Sequence, residues 1–185
     1  RQRQMCIRDR GKGLGHQFLR HIERTALIMH VVDMTGGFED RDPVEDYRII
    51  NRELEQYGAE LSERPQIVVA NKCDAPGTAD KIADLKRAAL DDGHMFFAVS
   101  AVTGAGLNTL MLAVGEQVAM LYCGVHGLLH DVPVESVRQC QDQFLDQLRS
   151  QHQDIIDTLA EGKIDDTITH TIEEVMAGVA SLYKA

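Results

Sequence analysis

Asn71-Lys72-Cys73-Asp74 sets an amide, an ammonium, a thiol and a carboxylate at four successive positions. One carboxylate can accept two parallel hydrogen bonds, and guanine offers such a pair in its ring N–H and its exocyclic amine. Adenine presents no such pair, so Asp74 would discriminate between the purines, and charge-assisted bidentate pairs are the strong ones. Asn71 can bond the base or brace the loop, and the stem of Lys72 can lie over the ring. The plainer alternative is a polar loop in which Asp74 caps a helix. Taken alone, four residues favour that alternative, because so short a motif recurs by chance.

A second stretch changes the balance. Phe96-Phe97-Ala98-Val99 is apolar and ends in Ser100-Ala101-Val102-Thr103-Gly104. A turn of this kind can offer backbone N–H groups to the guanine O6. Both motifs follow short apolar runs, the first being Ile67-Val68-Val69-Ala70 after Pro65. Such runs read as buried strands. An open parallel sheet places its ligand at the carboxyl ends of its strands. The spacing from Asp74 to Ser100 allows one helix between two parallel strands, as a crossover requires.

The remaining elements must hold these two loops. Ala26 to Asp33 is a further strand candidate, with His30 expected as a packed core residue and Asp33, whose carboxylate could be catalytic, expected to brace a loop. Pro43 opens a helix to Tyr57, with Val44, Tyr47, Ile50 and Leu54 as its apolar stripe. Residues 80–90 form another helix, with Ile82, Leu85 and Leu90 inward. Leu107, Leu110, Met111 and Val114 mark the helix after the second loop. Gly11-Lys12-Gly13-Leu14-Gly15 reads as a loop entering a helix with Leu14, Phe18, Leu19 and Ile22 on one side; no GxxxxGK[ST] occurs in these residues. Residues 1–10 lack an apolar core, fit nothing downstream, and read as an unrelated leader such as a translated adapter. The order over 11–118 predicts an α/β fold, a parallel sheet with flanking helices.

Composition sets outer bounds. A net charge of −10 in 185 residues argues against general binding to a phosphate backbone. The four cysteines are widely spaced and form no CxxC, which reads as reduced thiols in a cytoplasmic protein. No run of about 18 apolar residues exists, so no membrane span is expected.

Residues 11–118 resemble the carboxyl-terminal part of the GTPase domain of the Obg family. The resemblance is carried by GKGLGHQFLRHIERT, HVVDMTG, RDPVEDYRIINRELEQY, ERPQIVVANKCD and FAVSAVTGAGL. It implies a partial P-loop-GTPase-like sheet in which Asn71, Lys72 and Asp74 bind guanine and Ser100, Ala101 and Val102 form the second base loop. It also implies GTP or GDP as ligand, Mg²⁺ as the family's metal, and the large ribosomal subunit as partner. The P-loop and the threonine switch do not occur in these residues, and no DxPG stands ahead of Gly11, where the resemblance would place it. Those parts hold the phosphates and Mg²⁺, which is nearly all of the catalysis in this class. The expectation is a guanine half-site without hydrolytic activity of its own, and nucleotide binding too weak to follow by fluorescence titration.

From about Glu116 the character changes to all-α. Glu116 to Tyr122 continues a helix that Cys123-Gly124-Val125-His126-Gly127 breaks. Pro133 opens a helix with Val137, Phe144, Leu145 and Leu148 inward. A short helix carries Ile155, Ile156 and Leu159 and ends at Gly162. Asp165 caps a last helix through Ile168, Ile172, Val175, Val179 and Leu182. Residues 116–185 resemble the carboxyl-terminal helical domain of the ATP synthase alpha subunit, on EQVAMLYCGVHGLLHDVPVESV, FLDQLRSQHQDIIDTLAEGKIDD and TIEEVMAGVASLYKA. That resemblance implies a structural part without catalytic residues, near beta and gamma subunits. Cys123, His126 and His130 have a zinc-like spacing, but glycines interrupt it and no metal is expected. Three domains are expected: 1–10, 11–118 and 119–185. The alternatives to a guanine-binding protein are a fragment of the alpha subunit, or a chimera without function.

Overall fold

A computed structural model of the chain describes residues 25–37 and 41–183, with Leu19 and Ile22. The expected leader and the Gly11 to Gly15 loop lie outside these residues. Of the expected first helix, Leu19 and Ile22 are described, and both are helical. The chain separates into two compact units, Arg1–Leu107 and Asn108–Ala185.

In the first unit three parallel strands lie in the order β1-β2-β3. They are β1 (Ile28–Asp33), β2 (Gln66–Asn71) and β3 (Met95–Val99). Helix α1 (Pro43–Tyr57) and a short turn of helix, α2 (Ala59–Ser62), connect the first two, and α3 (Ala79–Asp91) connects the last two. The central strand is buried along its apolar length, with Ile67, Val68, Val69 and Ala70 at most 2% exposed. Its unbroken β-branched run is what a central parallel strand needs. Val32, Met34, Val68 and Ala70 meet Tyr47 from α1 and Leu85 and Ala89 from α3 in one core. Both crossover helices thus pack on one face, as two right-handed connections in sequential strand order require. Leu19, Leu54 and Leu61 form a second cluster with Ile22, Ile28 and Ile50.

The stripe expected on α1 is observed, with Tyr47 and Leu54 buried and Val44 and Ile50 half-buried. Asp42 caps this helix by accepting from the Val44 N–H at 2.9 Å. The stripe expected on α3 is corrected at one position. Leu90 is 54% exposed, and Ala89 takes the inward place. From Leu85 a helical face continues at i+4, which is Ala89; Leu90 is a further 100° around the axis. His30 packs as expected, its ring 5.3 Å from that of Tyr47.

The second unit is helical. Helix α4 (Leu107–Val125) begins at its boundary, and α5 (Val137–Gln151), α6 (Gln153–Ala160) and α7 (Asp166–Ala180) follow a short 3₁₀ turn (Val134–Ser136). The helix-breaking stretch acts later than expected. Residues 123–125 remain helical, and the chain leaves the helix at Gly127, whose φ of 67° only glycine adopts freely. Cys123, Cys140, Phe144, Leu148, Ile156, Ile172 and Met176 are all fully buried in one core. Gly115 allows α4 to approach α6, because a Cβ there would lie 2.6 Å from the Ile156 carbonyl oxygen. Leu182 is corrected too: it is 74% exposed, because α7 ends at Ala180 and the chain turns before reaching it.

The cap expected at Asp165 is present. Its carboxylate accepts from the Ile168 N–H at 2.9 Å. Asp165→Ala is expected to lower stability by about 1 kcal/mol, read as an earlier midpoint in urea unfolding followed by helical circular dichroism.

Candidate guanine-recognition site

All three strands end in register, with Asp33 opposite Asn71 and Asn71 opposite Val99. The two motif loops and the loop after β1 therefore leave the sheet along one edge. Asn71 fixes two of them together. Its Oδ1 accepts from the Lys72 N–H at 2.8 Å and from the Ala101 N–H at 3.2 Å. The Cys73 N–H adds a second tie, donating to the Val99 carbonyl at 3.1 Å. Of the two roles open to Asn71, bracing the loops is the one its Oδ1 performs, and its side-chain NH₂ group has no partner among the described residues.

Lys72 has φ of 65°, the one positive value among described residues other than glycine. A left-handed residue here turns the chain sharply at the strand end. Its ammonium lies 2.7 Å from Asp33 Oδ2. Asp33 Oδ1 accepts from the Thr35 N–H at 2.9 Å and the Thr35 hydroxyl at 2.7 Å. Asp33 thus braces loops, as expected, while the Lys72–Asp33 pairing was not legible, because it depends on strand register.

Burial is the largest single influence on the Asp33 carboxyl and pushes its pKa up. The hydrogen bonds from Lys72 and Thr35, with the Lys72 charge, outweigh it and hold the group below its ordinary 3.8. A lowered folded value means that this contribution is fully present above the unfolded pKa and is lost as pH falls through the folded one. Comparing Asp33→Asn with the parent in urea unfolding should show a gap that is constant above about pH 4 and closes below it. The gap is expected to stay under about 1 kcal/mol, because both side chains of the pair are more than a third exposed.

Asp74 lies in the turn after Lys72 and is exposed, with no hydrogen-bond or ion-pair partner among the described residues. It does not cap α3: the cap position is Thr78, whose hydroxyl turns back to the Ala75 carbonyl at 2.8 Å. The structural task that the plainer reading gave Asp74 is therefore not one it performs.

The second loop is built on Ser100, which is fully buried. Its N–H donates to the Ala105 carbonyl at 3.0 Å, and its Oγ accepts from the Thr103 N–H at 3.1 Å. With the Ala101 N–H held by Asn71, the Val102 N–H is left without a partner among the described residues, and Val102 is 88% exposed. Gly106 closes the loop with φ of 73°; a Cβ there would stand 2.3 Å from the Ala98 carbonyl oxygen. Sequence reasoning passed over Gly106, whose signal is a second glycine two residues after Gly104.

The exposed carboxylate of Asp74, the free amide donors of Asn71 and the Val102 N–H thus share one edge of the sheet. Over 107 residues the chain is 55% identical to GTPase Obg of Bacillus pumilus. This part of the chain is similar to GTPase Obg. The match covers 58% of this chain and 24% of that relative. GTPase Obg of Listeria innocua is 52% identical over 109 residues, 59% of this chain and 25% of the relative. The chain therefore spans about a quarter of the length of the Obg proteins it matches. Residues 108–179 match the family described as ATP synthase alpha/beta chain, C terminal domain. Both resemblances carried by the sequence are thus found, the Obg likeness and the helical one.

The zinc-like triple of the second unit is not assembled as a ligand set. Cys123 is fully buried, and burial pushes its thiol up to about 12. His126 instead stacks on Tyr122 with ring centres 4.1 Å apart. Among the described residues no group of three or more His, Cys, Asp or Glu is placed to hold a metal ion.

Proposed function

We propose that the first unit recognises the guanine base of GTP or GDP. Asp74 accepts from the ring N–H and exocyclic amine. Asn71 donates its amide to the acceptors on the opposite edge of the base, and the Val102 N–H lies by O6. Ser100 and Ala101 set the shape of the second loop, and the Lys72 stem flanks the ring while its ammonium stays on Asp33. One observation supports this most: a side-chain amide joins the two loops and leaves an unpartnered carboxylate beside them.

The likeness to GTPase Obg extends the reading to a GTP-binding protein of that kind, acting on the large ribosomal subunit in the cytoplasm. No helix among the described residues is long and apolar enough to cross a membrane. The motifs that hold phosphates do not occur in these 185 residues. On their own they are expected to bind the base weakly and to hydrolyse nothing. Mg²⁺ accompanies nucleotides in the family, where the P-loop and switch motifs hold it with the phosphates. Titration with GMP and AMP, followed at the backbone amides of Asn71, Ala101 and Val102, tests the reading. GMP should shift these resonances saturably and AMP should not. Equal shifts would remove the case for guanine.

The match over residues 108–179 supports a second role, for the helical unit alone. We infer a structural segment that packs with ATP synthase beta and gamma subunits. Co-purification of beta subunits with the intact chain supports it, and their absence counts against it.

A further inference from the structure

Gln66 begins β2, at the opposite end of the strand from Asn71, roughly 17 Å away over five residue steps. It is 4% exposed. Its amide NH₂ donates to Asn51 Oδ1 at 3.3 Å, but its Oε1 has no hydrogen-bond partner. A buried acceptor left unpaired is costly, and such groups call for an explanation. Gln66 lines a cavity of about 240 Å³ with Asn51, Glu55, Ser62, Asp92 and His94. Among the described residues the lining holds two carboxylates and no lysine or arginine. Asp92 spends one oxygen on the Tyr47 hydroxyl at 2.7 Å, and the other has no partner among the described residues. Burial lowers the pKa of His94 even against the nearby Asp92 charge, which holds the imidazole toward its neutral form.

The volume lies below the range of drug-sized pockets and suits a group of a few heavy atoms. The unspent chemistry of the lining is acceptor-rich and negative: the Gln66 amide oxygen, one Asp92 oxygen and the Glu55 carboxylate. Several acceptors around one small space match a planar ion with several N–H donors. We propose that this cavity binds a guanidinium group, at the sheet edge opposite the Asp74 loop. Turning Gln66 about its soft terminal torsion brings its oxygen to the ion and releases its NH₂ from Asn51 Oδ1, which then becomes a further acceptor. The same chemistry has two sources, a free small cation and an arginine side chain of a partner protein.

The test titrates the intact chain with methylguanidinium chloride, against sodium chloride at equal ionic strength, following the side-chain amide resonances of Gln66 and Asn51. A saturable shift with methylguanidinium alone is expected. Glu55→Gln, at an exposed helix position, should weaken it roughly fivefold, as loss of one exposed charge contact does. Gln66→Met keeps the apolar volume, removes the unpaired oxygen and should abolish saturation. A Gly-Arg-Gly peptide that binds tighter than methylguanidinium assigns the site to a partner's arginine; equal or weaker binding assigns it to a free cation. No saturable shift with either probe overturns the proposal, as does a Gln66→Met variant that binds as well as the parent.

Discussion

With Asp74 replaced by alanine, GMP is expected to lose its saturable effect on the loop amides and become indistinguishable from AMP. Hydrogen bonds to a charged group contribute about 1.5 to 3 kcal/mol each. Two of them at an exposed carboxylate, discounted for competing water, leave about 2 to 4 kcal/mol. That corresponds to roughly thirty- to a thousandfold in affinity. The fold should be untouched, because Asp74 is exposed and makes no contact that the loop needs. The Asn71 ties to Lys72 and Ala101 do not involve it. Unchanged backbone shifts elsewhere, alongside lost GMP binding, are the expected pair of results. A variant that still prefers GMP would assign recognition to the Asn71 amide and the second loop instead.

Gly106→Ala is expected to cost about 2 to 5 kcal/mol and to disorder the Ser100 loop. Two separate penalties meet at this position. A left-handed backbone with a Cβ costs roughly 1 to 2 kcal/mol. The added atom would also stand 2.3 Å from the Ala98 carbonyl oxygen, which β3 holds in place. Relief requires moving either the strand or the loop, and overpacking of this kind typically costs about 1 to 3 kcal/mol more. Gly104→Ala is the control. Its φ is 81°, but a Cβ there meets nothing within 4 Å, so only the first penalty applies. Urea unfolding of both variants should separate them clearly. Equal midpoints would mean that the approach to Ala98 relaxes without cost.

The strands and most helices were legible because burial on one stripe leaves a period. Tyr47 and Leu54 on α1, Phe144 and Leu148 on α5, and the cap at Asp165 follow from spacing and residue type. Leu90 and Leu182 misled because each apolar residue near a helix end was given to the stripe, while position around the axis and the end of the helix decide burial. Cys140 and Met176 are fully buried, and their residue types say little about facing. In the site, the residue types were legible and their mutual bonds were not. Asn71 spans two loops and Lys72 reaches Asp33 because three strand ends come level, which a single strand's pattern does not state.

The most direct test of base recognition compares guanosine with inosine, which lacks only the exocyclic amine. The parent chain should bind guanosine more tightly by roughly tenfold or more, the value of one hydrogen bond to a charged group. In Asp74→Ala that difference should vanish. A preference for guanosine that survives in the variant would show that the amine meets some other group, and that Asp74 is not the residue that reads the base.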